Sequence, residues 1–561
     1  MSLSSRHFCI GLEMEPTREK NEAMPSGLFS KATSRQLISS SPYLPSRECR
    51  LANDTPCQPC RALQLHVGPQ CNSMAHIEEL RTLRSDVNQV HDPFVRHLPL
   101  EIACDIFAMC CLPDPDKPPY TKFEMSAPLM LGAVCRTWRR TVCATPCLWN
   151  VLFFDLWFEG CDTIARKELL AEWLLRSGRL PLHITIGTNK VIPEVEEEAL
   201  FPLVDVLNAY ADRWRTLKAC AAFPGVLARL RGDPIPLGGE GILDLDLELH
   251  DADEMWPLVI NLTSITPHLR KLRVHLVEIG SLKISYDFLT HLTAEYLNED
   301  DCAEIMRCAP LLIVCKFRFM LESGGFEDAQ QRVVVCHNLQ KLVIEEHIHA
   351  QLASFFRRIQ LPRLEELTIS TSDRRVRHQI LDLAAFFARS PCPLEALTLG
   401  DVESAAQDIR KMLAQVPTLK RLSLSARQES NWSVAYALYS LAGRFQPVTV
   451  DDHLEFYASL VPHLESLTCS ANLKTFSYDI LPKMFGIKAG QHGHTEIQAS
   501  LRNLVLFLDD DKIDVMDRDT LLRCLRLCRA GVRIEINPDV LLDSALHHNI
   551  SMDSDSILPS I

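Results

Sequence analysis

Glycine is scarce: 21 of 561 residues, where an average chain has about 7%. The loops that need glycine are missing with it. There is no G-x-x-x-x-G-K-[ST], no G-x-G-x-x-G between a strand and a helix, and no G-x-S-x-G. Such loops use glycine where the backbone must turn sharply or approach a phosphate or oxyanion. Nucleotide-dependent and serine-hydrolase chemistry therefore have no visible seat. No paired catalytic set stands out either, and the chain reads as a non-enzyme.

Long apolar runs are also missing. The most apolar stretch, 147–158, carries Asp155, whereas a spanning helix needs about 18 or more apolar residues. Residues 1–20 hold Arg6, Glu13, Glu15, Arg18, Glu19 and Lys20, with no apolar segment of a secretory signal. No membrane is expected as a partner. Basic charge is not in excess: Lys plus Arg number 58 against 72 Asp plus Glu, a net −14. That balance leaves no electrostatic footprint for nucleic acid. The 21 cysteines are scattered through apolar runs, as at Cys104, Cys110, Cys135 and Cys315. They read as reduced, buried thiols of a cytoplasmic or nuclear protein rather than a disulfide framework.

Metal-ligand patterns stop short. Cys57 and Cys60 make one tight pair, with Cys49 and Cys71 nearby, but a structural zinc site needs four selected ligands. They read as unstructured thiols. The pairs His347/His349 and His492/His494 lack further ligands. The acids Asp509–Asp511, Asp514, Asp517 and Asp519 lack the central glycine and closing glutamate of a calcium loop. They read as a solvated edge after the last strand. No metal and no cofactor is expected.

What is present is a globular composition, 47% hydrophobic and 23% charged, enough for a large core. Residues 1–75, rich in Ser, Pro, Asn and Arg, show no sustained period and are expected to form a disordered leader. Ile77, Leu80, Leu83, Val87 and Val90 then predict an amphipathic helix over 76–92, stopped before Pro93. Residues 93–155 form a strongly apolar block. In it, "LPLEIACDIFAMCCLP" predicts a helix starting after Pro99. A Pro- and Asp-rich loop follows over 113–127. "APLMLGAVCRTWRRTVC" then predicts one second helix, with Leu131, Val134, Cys135, Trp138 and Val142 on one face and Pro146 ending it.

From about 160 to 540 a string of the form Pro-x-Leu-x-x-Leu-x-Leu recurs, with its proline sometimes replaced. Its central positions are 272, 315, 342, 367, 397, 422, 467 and 504. Three of the intervals fall within the 20–29 residues of a leucine-rich repeat; longer ones carry insertions or hide a further turn. One strand and one helix cannot bury their own apolar faces, but stacked copies bury a continuous core. The expected fold class is an α/β repeat, an irregular solenoid with parallel strands on its concave side and helices on its convex side. Residues 541–561 form a tail.

Two resemblances follow. Leu98, Pro99, Glu101, Ile102, Ile106 and Phe107, then Val134, Cys135, Trp138, Leu148 and Trp149, make the block at 93–155 similar to an F-box. The downstream "WLLRSGRLPLHI", "RWRTL" and "RSPCPLEALTL" resemble the F-box/leucine-rich-repeat proteins of mushroom-forming fungi. The resemblance implies a small all-α module that docks through those eleven residues on the Skp-type adaptor of an SCF (cullin-RING) ubiquitin ligase. The repeats would then hold a substrate protein. The alternative is a repeat scaffold outside any ligase, in which the block only caps the array or binds something other than a ligase.

The residues that alternate with the buried leucines should face away from the core. They start basic, with Lys271, Arg273, His275, Lys316, Arg318 and Lys341. They end in hydroxyls, with Thr368, Ser370, Thr398, Ser423, Ser425, Ser466, Thr468 and Ser470. The six basic residues are the candidate substrate contacts, suited to an acidic or phosphorylated segment.

Overall fold

The computed structural model describes residues 57–66, 74–91, 98–111, 122–155, 163–187, 197–221, 224–231, 241–249, 259–277, 279–320, 333–345, 352–370, 380–400, 406–426, 461–471, 478–485, 487–489, 495–497, 500–508, 516–537 and 540. Contacts divide the chain into two units, one of residues up to 154 with 164–184, the other of residues 155–163 and 185 onward.

In the first unit three helices, Leu100–Cys111, Lys122–Val134 and Arg136–Cys143, pack on one another. The single helix expected from "APLMLGAVCRTWRRTVC" is two. Cys135 leaves the helical region (φ −154°, ψ 171°) and its Sγ accepts the Trp138 amide at 3.4 Å, so it caps the second helix. Arg139 Nε donates to Gly132 O at 2.9 Å, satisfying a carbonyl that the break leaves without a helical partner. The first of these two helices begins at Lys122, inside the segment expected to be loop. Ahead of the three helices, Met74–His91 packs on Arg136–Cys143.

The leader is not wholly structureless. Gln58–His66 is a helix packed on Met74–His91, with Cys57, Cys60 and Leu63 buried. Residues three apart fall on one helix face, so a stripe of two thiols and a leucine suffices to bury it. Cys57 and Cys60 are core residues there. Among the described residues no group of three or more His, Cys, Asp or Glu could hold a metal ion. Cys49, Cys71, His347, His349, His492, His494, Asp509–Asp511, Asp514 and the 541–561 tail lie outside the described residues. Asp517 and Asp519 are exposed, as a solvated edge requires, and the Asp517 carboxylate also accepts the Thr520 amide at 3.0 Å and caps the helix Arg518–Arg529.

The second unit is built on a long parallel sheet with helices and turns between its strands, an α/β repeat of solenoid type. Its register follows the leucine string. Leu217 lies beside Leu245, then Leu272, Leu292, Cys315, Leu342, Leu367, Leu397, Leu422, Leu467, Leu504 and Ile534, each aligned with the next. Every member of that column is buried. A second buried column two residues on runs from Ala219 through Val274, Phe317 and Ile369 to Ile536. A third lies three residues before the first, with Ile242, Leu269, Leu289, Leu312, Leu364 and Leu419 among its members. Each buried leucine contributes about 1.5–3 kcal/mol relative to exposure.

The recurring proline has a local cause. Pro267, Pro310, Pro362, Pro417 and Pro462 each occupy the second position of a turn, where a fixed φ fits. The turns are closed by amide bonds from Leu269 to Thr266, Leu312 to Ala309, Leu364 to Leu361, Leu419 to Val416 and Leu464 to Val461, at 3.2–3.4 Å. After each turn one carbonyl of the preceding repeat accepts two successive amides. Leu243 O takes Arg270 and Lys271, Gln340 O takes Glu365 and Glu366, and Lys420 O takes Glu465 and Ser466.

The array holds more copies than the string disclosed. Strands Trp214–Ala221 and Asp244–Leu249 precede the first recognised copy, His291–Glu295 fills the interval between 272 and 315, and Arg533–Ile536 follows the last. The interval between 422 and 467 hides no further ladder strand, because Arg421–Ala426 pairs directly with Ser466–Ala471. Leu292→Ala should therefore destabilise the array as much as Leu342→Ala, by about 2–5 kcal/mol. Urea unfolding followed by circular dichroism measures it, and a shift below about 0.5 kcal/mol at 292 alone would remove that position from the core.

Candidate functional site

In the first unit the residues expected to dock separate into two groups. Phe107, Cys135, Leu148 and Trp149 are buried. The Trp149 indole donates to Val142 O at 2.8 Å, meets Trp173 edge-on at 4.7 Å and carries the Arg176 guanidinium 4.7 Å over its ring. Phe107 packs on Trp138 at 4.8 Å. These four side chains hold the helices together and lie buried in this structure, so they would support a docking surface from beneath and not face a partner. Leu98, Ile106 and Trp138 are half-buried, while Pro99, Glu101, Ile102 and Val134 are exposed.

Three exposed residues escaped the sequence reading: Leu100 at 59%, Met109 at 75% and Met130 at 42%. Ile102 and Met109 are seven apart, two turns along one helix face, with Ile106 between them. Met130 and Val134 are one turn apart on the next helix. That spacing was the available signal. Large apolar side chains left in water on a small packed module usually mark an interaction site.

Two thiols of this module, Cys111 and Cys147, are held protonated by burial. Burial, with Cys110 and Cys147 adding to it, pushes the Cys111 thiol up to about 11. In the second unit burial pushes Cys302 and Cys315 well above the ordinary thiol value and Cys336 up to about 12. A thiol that stays protonated is a poor nucleophile and a poor metal ligand.

The six basic residues of the second unit do share one sheet face, as expected. Glutamates missed or underweighted in the sequence engage five of them. Glu295, only 5% exposed, receives Arg273 at 3.3 Å and Arg318 at 3.2 Å, with His275 at 3.9 Å. Glu345 takes Lys316 at 2.8 Å and Arg318 at 3.5 Å. Glu366 takes Lys341 at 2.9 Å and Arg421 at 2.8 Å, the latter reaching across Ala396. The hydrogen bond from Lys341 holds the Glu366 carboxyl below its ordinary range. His275 also lies 3.8 Å from Glu248. The basic run is thus a chain of ion pairs.

Beside it stands an acidic strand. Asp244, Asp246 and Glu248 align with Lys271, Arg273 and His275. On the other side the face turns to hydroxyls. Thr368 aligns with Thr398, and Ser423 and Ser425 with Thr468 and Ser470. Gly400 follows Ser370 in register, where a Cβ would come within 3.1 Å of the Ser370 side chain.

At the strand ends Leu276, Tyr296 and Phe319 all adopt left-handed backbone, φ 56°, 61° and 51°. That conformation costs a non-glycine residue about 1–2 kcal/mol. Their amides extend the ladder to Glu295 O, Arg318 O and Glu345 O. The Tyr296 and Phe319 rings stack at 4.7 Å.

No protein-family model matches the chain, and no curated protein matches it. Among the described residues no helix is long and apolar enough to cross a membrane.

Burial pushes the Asp246 carboxyl above its ordinary value, and Arg273 and Lys218 draw it part of the way back. A carboxyl raised on folding binds more protons folded than unfolded, so it costs stability at neutral pH and is relieved on acidification. Asp246→Asn should match or exceed the wild-type melting temperature at pH 7, and the difference should shrink as pH falls toward about 4, the unfolded carboxylate value. Thermal melts across that range test it; a large loss at pH 7 would show that the ion pairs outweigh burial.

Proposed function

We propose that this chain is a non-catalytic adaptor: an F-box module docks on the Skp-type subunit of an SCF-type ubiquitin ligase, and a leucine-rich-repeat array holds a substrate protein. The observation that carries the reading is the exposure of Leu100, Ile102 and Met109 on a helix whose other side is buried through Ala103, Phe107 and Cys111. An amphipathic helix that keeps an apolar face in water after packing fits a groove on a partner. The repeat array supports the second half. Each strand presents one face to the core and another to solvent on a rigid backbone. Holding ligase and substrate on one chain makes ubiquitin transfer effectively intramolecular. The ordinary site for that reaction's chemistry is on other subunits, and burial holds Cys111, Cys302, Cys315 and Cys336 protonated here.

The test is co-purification of the chain with a Skp-type adaptor. Ile102→Asp with Met109→Asp should weaken capture at least about a hundredfold, since buried interface anchors contribute about 2 kcal/mol or more each. Melting should be unchanged, because both side chains are already in water. Adaptor capture equal to wild type would sink the assignment.

A further inference from the structure

We infer that the sheet face from Lys271 to Arg421 is a docking surface for an extended acidic segment of a partner protein, one bearing several carboxylates. This inference is independent of what the three-helix module binds.

It rests on the arithmetic of the ion pairs. Within that span six cations face outward: Lys271, Arg273, Lys316, Arg318, Lys341 and Arg421. Three carboxylates face them, Glu295, Glu345 and Glu366, and each bridges two cations. Within these strands the cations outnumber the carboxylates, and five of the six are already ordered by ion pairs, Arg273 also facing Asp246 on the neighbouring strand. Ion-pairing fixes the long Lys and Arg rotamers before a ligand arrives, which removes part of the ordering cost of binding. Arg318 shows this most fully. Two carboxylates hold it on the sheet, and its guanidinium lies 5.3 Å over the Phe319 ring, itself stacked on Tyr296.

The footprint has a defined end. The next strand toward the amino terminus carries Asp244, Asp246 and Glu248 outward, which repels a further acidic residue. Between Lys271 and Arg421 the ladder makes six inter-strand steps. At about 4.8 Å each that is roughly 29 Å, the reach of about nine extended residues. Carboxylates are what these cations already hold.

The test uses the full chain and a fluorescent deca-glutamate, followed by anisotropy, with deca-lysine as the opposite-charge comparison. Deca-glutamate should bind at least tenfold tighter than deca-lysine despite the chain's net −14, and more weakly as salt rises. Lys316→Glu with Lys341→Glu should reduce that binding at least tenfold. Because the reversed charges would face Glu345 and Glu366, Lys316→Met with Lys341→Met serves as the variant that keeps both stems and the fold; it should reduce binding at least threefold with an unchanged melt. Equal binding of the two peptides would overturn the inference, as would full deca-glutamate binding by the methionine variant. Self-association of the chain that this variant abolishes, without deca-glutamate binding, would overturn it in favour of a second copy.

Discussion

The structure depends on one alignment: buried side chains of successive strands stand at the same height, so that Leu217, Leu245, Leu272 and their successors to Ile534 form one unbroken apolar column. Side chains alternate faces with a period of two, so a slip of one residue in any repeat would turn its leucines into water and its charges into the core. Two flanking columns and the doubly accepting carbonyl met after each Pro-containing turn enforce the same height. Helices and turns then have only to return the chain to the next start. That is why the connections vary so widely while the strands do not.

The strings around Leu272, Leu342, Leu367 and Leu422 were legible because leucine, proline and spacing coincide there. The strands around Leu217 and Leu292 were not, because the second buried position is Ala219 or Ala294 and Asp287 stands where the turn's proline would be. Alanine buries well but carries no pattern. The Asp244–Leu249 strand does carry apolar alternation, and its missing proline hid it. With those strands unread, their outward residues went unread too, and Glu295 and the acidic trio were absent from the account of the face. In the three-helix module the order of apolar residues was visible, but not which side of each helix the packing would consume. Phe107 and Ile102 look alike in a sequence. Only the neighbours Trp138 and Ala103 decide that one is core and the other surface. The break at Cys135 was invisible for a related reason, since a thiol rarely caps a helix.

The buried Glu295 shows how the two faces of the sheet differ in kind. On the core side any apolar residue of suitable volume will serve. On the solvent side a carboxylate has been drawn nearly out of water and held by two guanidinium groups, an arrangement that stabilises little by itself because desolvation opposes the attraction. Its effect is geometric. It orders Arg273 and Arg318, next to left-handed residues at the ends of three neighbouring strands, which the array tolerates at a cost. Strain and buried charge concentrated in the same three repeats set that stretch apart from the hydroxyl-lined strands further on.

The direct pairing of Arg421–Ala426 with Ser466–Ala471, across a long intervening chain, has a consequence for how such an array can change over generations. From Trp214–Ala221 to Asn503–Leu508 the ladder strands meet their neighbours through the same three buried heights, so a repeat is an interchangeable part. Lengthening a connection costs only about 0.6 kcal/mol for each doubling, and adding or losing a whole repeat leaves the remaining junctions with the partners they had. Lineages carrying this fold can thus gain a binding surface in increments of one strand, about 4.8 Å, or drape a new loop beside an old site, without redesigning the interior.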